Sequence, residues 1–420
     1  MKKYVLVGTG HRGTRAYIQP LTEHFTDCVK LCGLYDINIK RATAASKMAA
    51  YPIDVYDDFD KMLEAVHPDT VIVTTIDAKH SDYIIKSLDF GCDVVSEKPL
   101  TTDDKQMKAI YEAEKRSGKK VQVTFNCRFM PVFMRIKELL KSGIIGEIYS
   151  AHFEWLLDTS HGADYFRRWH AEREKSGSLL IHKSTHHFDL LNWFLEDEPE
   201  KVNAFGTRRF YGPTRENRSE RCKDCQVSDK CEFYEDISKS DFYKKMYLEC
   251  EEEDGYHRDG CVFSDRIDIE DTVAINIKYK KGAVACYSLI AHSPYEGMRL
   301  CLSGSLGRME ISTFSDGKMY GGNKSAIINV FNRLGEKIDI FPDKAETMLK
   351  LPRFGRVLGG GHGGADMLLC DMIFRSADKD PLTLLADSRA GAMSIGIGIA
   401  ANKSMEDDRA VYLSEFYDYL

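Results

Sequence analysis

Tyr4-Val5-Leu6-Val7-Gly8-Thr9-Gly10-His11-Arg12-Gly13, continued from Thr14 by a helix-compatible run, is the stretch that decides the fold. An apolar strand that breaks on a glycine and enters a helix is the setting in which Gly-x-Gly-x-x-Gly binds a dinucleotide. Gly8 permits the tight turn, Gly10 lets backbone approach a pyrophosphate, and Gly13 lets helix and strand pack closely. Thr9, His11 and Arg12 lie between them, where a helix N-terminus offers amide donors and a positive dipole end. A plain tight turn is the competing reading, and the next strand bears on it: Val29 to Leu34 is apolar and runs into Tyr35-Asp36. An acidic side chain at that tip, roughly 20 residues past the glycines, accepts adenosine ribose hydroxyls. Its charge repels a ribose 2′-phosphate, which favours NAD over NADP, with Lys40 and Arg41 arguing the other way.

Outward from this point, Thr70 to Thr75 forms a strand, Ser81 to Phe90 a helix, and Asp93 to Ser96 a strand that ends in Glu97-Lys98-Pro99. Strands alternating with helices predict an α/β fold, a doubly wound parallel sheet whose ligands gather at the carboxyl ends of its strands. Thr74, Thr75, Asp77 and His80 follow one such end, and Glu97 and Lys98 another. The 420-residue length implies two domains or more. With 43% hydrophobic and 29% charged residues, 31 Gly and 11 Pro, the chain has the composition of a folded protein with sizeable cores. Its 58 basic and 65 acidic residues, net −7, argue against nucleic-acid and anionic-membrane partners, which need a positive footprint. The apolar run Tyr4 to Val7 is too short for a signal-peptide core, and no stretch reaches the roughly 18 apolar residues of a membrane span. A cytoplasmic protein is expected.

Further along stand Phe125-Asn126-Cys127-Arg128-Phe129 and Gly143-Ile144-Ile145-Gly146-Glu147-Ile148. With the N-terminal fingerprint and Glu97-Lys98-Pro99, these segments resemble the glucose-fructose oxidoreductase, inositol dehydrogenase and rhizopine catabolism (Gfo/Idh/MocA) family over most of the chain. The resemblance implies an N-terminal Rossmann domain, taken as residues 1–125, and a substrate-binding α/β domain with an open, largely antiparallel sheet, taken as residues 126–420. It also implies a homo-oligomer. In this family Lys98 would point at the nicotinamide and the reacting carbon, with Asn126 and Arg128 lining the same cleft.

The segment from Ser178 to Leu195 carries the second polar cluster. On one continuous helix His182, His186 and Asp189 fall at i, i+4 and i+7 and share a face, beside a stripe of Lys183 and His187. The resembled family carries a carboxylate, a His and an Asp at these three places; His186 and Asp189 match, whereas His182 replaces the first carboxylate. Oxidising an alcohol requires a base for the hydroxyl proton as hydride leaves, and an imidazole titrates near neutrality. His186 is therefore read as general acid/base, Lys98 as polariser or proton relay and His182 as an orienting group, with Asp189 completing the set. A merely polar helix, or a divalent metal on His182, His186 and Asp189, are the other readings. His161, Tyr165, Arg168 and Trp169, in a run rich in aromatics, Arg and His, suit a polyhydroxylated ligand. Lys183, His187 and His362, the last in the glycine-rich run 358–366, are further substrate candidates.

Six of the twelve cysteines sit singly among apolar or strand-like residues. Cys222-x2-Cys225-x5-Cys231 lies in a polar stretch, 207–268, read as an insertion, with Cys250, His257 and Cys261 as fourth-ligand candidates. Structural zinc on Cys222, Cys225, Cys231 and Cys261 is the expectation, against unmetallated thiols or an iron–sulfur cluster. Thr272 to Tyr279 and Ala283 to Ile290 then read as a hairpin, Arg299 to Ser303 and Gly307 to Ser312 as strands, and the Gly- and Ala-rich run Ala386 to Asn402 as a closely packed helix. Together these features predict an NAD-dependent oxidoreductase that moves hydride between the nicotinamide and a hydroxyl of a carbohydrate, polyol or glycoside. The alternatives are NAD-assisted glycoside cleavage through transient oxidation and elimination, with no net redox, and a non-enzymatic NAD or sugar sensor, against which Lys98 and His186 argue.

Overall fold

The computed structural model describes residues 1–314, 326–338, 364–375 and 380–419, so His362 lies outside the described residues. The opening stretch forms β1 (Lys2–Val7), followed by β2 (Val29–Tyr35), β3 (Asp54–Tyr56), β4 (Thr70–Val73), β5 (Asp93–Ser96) and β6 (Val121–Val123). These six strands are parallel, in the order β6-β5-β4-β1-β2-β3. Strands covered on both faces need unbroken apolar runs, and β4 is buried throughout. The order reverses between β1 and β4, and at such a switch point the diverging connections leave a crevice at the carboxyl edge of the sheet. The helix expected after the glycines begins as a π-wound turn, Gly13–Ile18, and continues as Gln19–His24.

The second sheet contains β7 (Ile148–Asp158), β8 (Pro199–Thr207), β9 (Thr272–Tyr279), β10 (Val284–Ser293), β11 (Gly297–Gly304), β12 (Gly307–Phe314), β13 (Ile327–Asn332) and β14 (Lys337–Ile338). After a seventh strand added to the first sheet, β15 (Ala386–Asp387), the chain ends near β16 (Val411–Tyr412). The nine-stranded order is β14-β13-β12-β11-β7-β10-β9-β8-β16, antiparallel except for β7 beside β10. The expected hairpin is β9–β10, in register from Val284↔Lys278 to Ile290↔Thr272. Helices Ser184–Leu195 and Ser388–Asp407 cover its inner face, and Gly398 lets the second approach the short helix Leu179–His182: a Cβ there would stand 2.7 Å from the Leu180 carbonyl oxygen. Among the described residues no helix is long and apolar enough to cross a membrane.

The cysteine-bearing stretch runs between β8 and β9, and here the zinc expectation is corrected. Cys222 Sγ accepts a hydrogen bond from Arg167 Nη1 at 3.1 Å and Cys261 Sγ one from the Phe263 N–H at 3.4 Å. Among the described residues no three His, Cys, Asp or Glu side chains stand where they could hold a metal ion, so neither Cys222, Cys225, Cys231 and Cys261 nor His182, His186 and Asp189 make such a site. Arginine organises the stretch instead: Arg221 Nη2 reaches Asp259 at 2.7 Å and Glu251 at 2.9 Å. Planar guanidinium–carboxylate forks fix geometry as well as charge, the service a metal would otherwise give a stretch poor in apolar residues.

Candidate active site

The glycine loop is shaped by close approach. Gly8 has φ +91°, and a Cβ there would lie 2.6 Å from the Thr74 backbone; on Gly13 it would lie 2.2 Å from the Gly8 carbonyl oxygen. At Gly10, by contrast, a Cβ would meet only the Tyr247 hydroxyl, at 3.6 Å, so no backbone crowds that side. This donor set and cradle fit a pyrophosphate. Asp36 stands at the tip of β2, buried, one oxygen accepting from Thr9 N–H at 2.7 Å and Thr9 Oγ1 at 3.0 Å, the other from Asn38 N–H at 2.9 Å. Lys40 and Arg41 are engaged with Glu253 at 3.3 Å and Asp254 at 2.8 Å respectively. The His11 imidazole is pulled down to about 4 by burial and by Arg258 and Arg168, so it offers no cation to a phosphate near neutral pH.

Arg12 turns away from the loop. Its Nε meets Glu97 at 2.7 Å, while Nη1 and Nη2 fork onto Asp366 at 2.9 Å each; Tyr17 donates to Glu97 at 2.7 Å and Asn126 Nδ2 to Asp366 at 2.8 Å. Burial works to raise the Glu97 carboxyl, and Arg12 and Tyr17 more than reverse it, leaving it below its ordinary range. Expected as cofactor contacts, Arg12, Glu97 and Asn126 thus form a network that joins the parallel sheet to the helix Ala365–Phe374. His80, also expected at the cofactor, is buried and braces the strand ends, with Nδ1 2.7 Å from the Pro99 oxygen and Nε2 3.1 Å from that of Thr75.

At the ends of β4 and β5 the chain brings Asp77, His182 and Lys98 into line. His182 Nδ1 is 2.6 Å from Asp77 Oδ2, and its Nε2 is 3.4 Å from Lys98 Nζ, which also donates to the His182 carbonyl at 2.9 Å. An ammonium only donates, so Nε2 is the acceptor and the ring proton lies on Nδ1, facing the carboxylate. Burial and the Lys98 charge hold the imidazole well below its usual range. Burial also draws the Lys98 ammonium down to about 8 against the pull of Asp77 and Glu97. Asp77 is thus the carboxyl group that answers position 182, and burial pushes its titration up against the pull of Lys98.

The continuous helix expected here is broken. Leu179–His182 ends at Lys183, and a second helix starts at Ser184, with His182 turned to Asp77 and Asp189 to Arg128. Asp189, expected in the catalytic set, and Arg128, expected to line the substrate cleft, form a buried fork, Nε to Oδ2 at 2.8 Å and Nη2 to Oδ1 at 2.6 Å. His187, a substrate candidate from sequence, is fully buried, stacked on Trp155 at 3.9 Å between ring centres and 2.7 Å from the Tyr287 hydroxyl. His186 is buried with its ring against Phe125, centres 6.0 Å apart.

The substrate candidates that do gather are aromatic and basic. Tyr165 and Trp169 present their rings to His182 at 5.4 and 5.5 Å, and His170, which sequence did not single out, lies between them 4.1 Å from His182. His161 links Glu296, at 3.0 Å from Nδ1, to the Tyr165 hydroxyl, at 3.2 Å from Nε2. Lys183 is buried with Nζ 5.2 Å from the Trp155 ring centre. Arg168 pairs with Asp164, which also receives Arg258 at 3.0 Å.

Known proteins resemble the chain over both of its halves. A family model described as an oxidoreductase family, NAD-binding Rossmann fold, matches residues 2–125, and one described as its C-terminal alpha/beta domain matches 137–413. A Bacillus subtilis (strain 168) protein named "Putative oxidoreductase YteT" is 36% identical, the match covering 99% of both chains. An inositol 2-dehydrogenase/D-chiro-inositol 3-dehydrogenase of Lactiplantibacillus plantarum is 23% identical, over 54% of this chain and 60% of its own. Among solved structures, the WlbA dehydrogenase of Bordetella pertussis, in complex with NADH and UDP-GlcNAcA, superposes with a TM-score of 0.67 at 18% identity, covering 98% of this chain and 97% of its own.

Proposed function

This chain belongs to the Gfo/Idh/MocA family of oxidoreductases, and we propose that it oxidises a secondary hydroxyl of a carbohydrate, polyol or glycoside with NAD as hydride acceptor. The observation that carries the reading is the Asp77–His182–Lys98 line at the carboxyl ends of β4 and β5, walled by Tyr165 and Trp169. When bound, the dinucleotide supplies the acceptor for the C–H hydrogen. The chain's own groups handle charge and proton. The Lys98 ammonium polarises the substrate oxygen, His186 takes the O–H proton as the carbon–oxygen double bond forms, and Asp77 fixes His182 so that its Nε2 holds Lys98 in place. Asp36 favours NAD over NADP because the cations beside it are already paired. Aromatic faces against C–H surfaces, with His161 and Lys183 bonding hydroxyls, fit a polyhydroxylated substrate. Exposed Phe205, Val284 and Cys286 on the outer face of the large sheet mark where we place self-association.

A panel of sugars, polyols and glycosides incubated with NAD, with reduced nicotinamide and product mass followed together, tests the reading. Reduced cofactor with a product lighter by two hydrogens is expected. Cleaved glycoside with no net reduction would replace the dehydrogenase by redox-assisted cleavage, and no change with any compound would remove both.

A further inference from the structure

Met246 and Tyr247, from the stretch between β8 and β9, are buried in the same apolar cluster as Tyr4, Leu6 and Leu34 of the parallel sheet. That packing lays part of the second half of the chain over the glycine loop. The Tyr247 hydroxyl accepts the His11 N–H at 2.8 Å, the kind of amide such a loop offers to a pyrophosphate. Beside it the Phe242 ring meets the His11 imidazole edge-on at 5.3 Å and lies under the Arg15 guanidinium at 4.4 Å. Past the tip of β2 the same stretch is gripped again: Arg41 Nη2 is 2.8 Å from Asp254, Arg41 Nε donates to the Met246 carbonyl at 3.1 Å, and Asn38 Nδ2 donates to that of Cys250 at 2.8 Å. The hydrogen bonds to Asp36 come from Thr9, Asn38 and Arg41, so the grip falls on the flanks of the carboxylate.

We propose that residues 242–254 are a strap that closes over the bound dinucleotide and has to lift for it to enter or leave, with Tyr247 as a positioning residue at the pyrophosphate; this rests on the dinucleotide reading above. The Tyr247 hydroxyl and a phosphate oxygen would share one N–H, so entry requires Tyr247 to yield that bond. A phenol also donates, so the same hydroxyl can then turn to the phosphate. The Arg41–Asp254 and Asn38–Cys250 contacts involve neither group and can hold the strap shut in both states. A cofactor held this way exchanges slowly between turnovers.

NADH is the probe. Its release from the intact protein is followed by stopped-flow fluorescence during a chase with excess NAD, and its uptake by mixing, for wild type, Tyr247→Phe and Asp254→Asn. Both variants are expected to release and take up NADH about tenfold faster or more, with the equilibrium constant changed much less. Release within about twofold of wild type in both variants overturns the strap, and so does faster uptake with unchanged release, which would make Tyr247 a plug. Hydrogen exchange on the unmodified protein guards against a folding defect: amides of 242–254 should slow on saturation with NADH, and unchanged exchange there overturns the proposal. A protein that binds neither NAD nor NADH would remove the functional reading with the strap, whereas binding with unhindered exchange removes the strap alone.

Discussion

Lys98 is the residue whose behaviour is most exposed to test. Its ammonium, drawn down to about 8 by burial, is protonated below that pH and loses its charge above it. Because the protonated form polarises the substrate, kcat/KM should fall as pH rises through about 8; a profile flat from pH 7 to roughly 9.5 would assign Lys98 a different role. Lys98→Ala should lower kcat by about 10²–10³-fold and leave NADH affinity, measured by fluorescence titration, nearly unchanged. Asp189 behaves differently, since both of its oxygens are taken by Arg128 inside the protein. Asp189→Ala leaves a buried guanidinium uncompensated and should cost about 3–5 kcal/mol in denaturant unfolding, and a loss below about 1 kcal/mol would show the pair to be dispensable. Sequence brought Lys98 and His182 to attention through strand ends and a histidine cluster. It could not show that Asp77, more than a hundred positions earlier, answers His182, because such pairing is set by how the strands stack.

Elements with a strong local signal were legible. The glycine turn, the apolar strands β4 and β5 and the β9–β10 hairpin each carry their own pattern of apolar run, alternation or turn residue. Gly13 shows how tight that signal is: its absent Cβ would overlap the Gly8 oxygen, so Gly13→Ala should deform the loop and weaken NADH binding by at least about tenfold by calorimetry. β7 was not legible, although it lies between β10 and β11, because Trp155-Leu156-Leu157 interrupts its alternation near the end. The break at Lys183 was hidden for a related reason. Periodicity continues across it, and only the backbone shows that one helix ends at His182 and another starts at Ser184. In the cysteine-bearing stretch three thiols at ligand-like spacing drew attention, while the arginines that organise it have no recognisable spacing at all.

At the scale of the whole molecule, the two-sheet architecture followed from the alternation of strands and helices and from the family resemblance, and the extent of traffic between the two halves did not. Arg12 reaches Asp366, His11 meets Tyr247, and Cys370 and Phe374 are buried in the cluster beneath β1. These contacts join residues hundreds of positions apart, which no window of sequence can reveal. They also predict that unfolding followed by near-ultraviolet circular dichroism and by activity coincides in one transition. Two resolved transitions, the first leaving NADH binding intact, would mean that the halves are energetically separate.

The pairing of β15 with β6 has a consequence for how the chain is made. Ala386 and Asp387 complete the edge of the parallel sheet beside Val123 and Gln122, and Gln122 Nε2 donates to the Ala386 carbonyl. On a ribosome adding roughly 5–20 residues per second, β6 waits about 13–50 s for that partner, its N–H and C=O groups open to any passing strand. Only three residues long and preceded by Lys119 and Lys120, it is short and charged enough to discourage a neighbouring nascent chain during the wait.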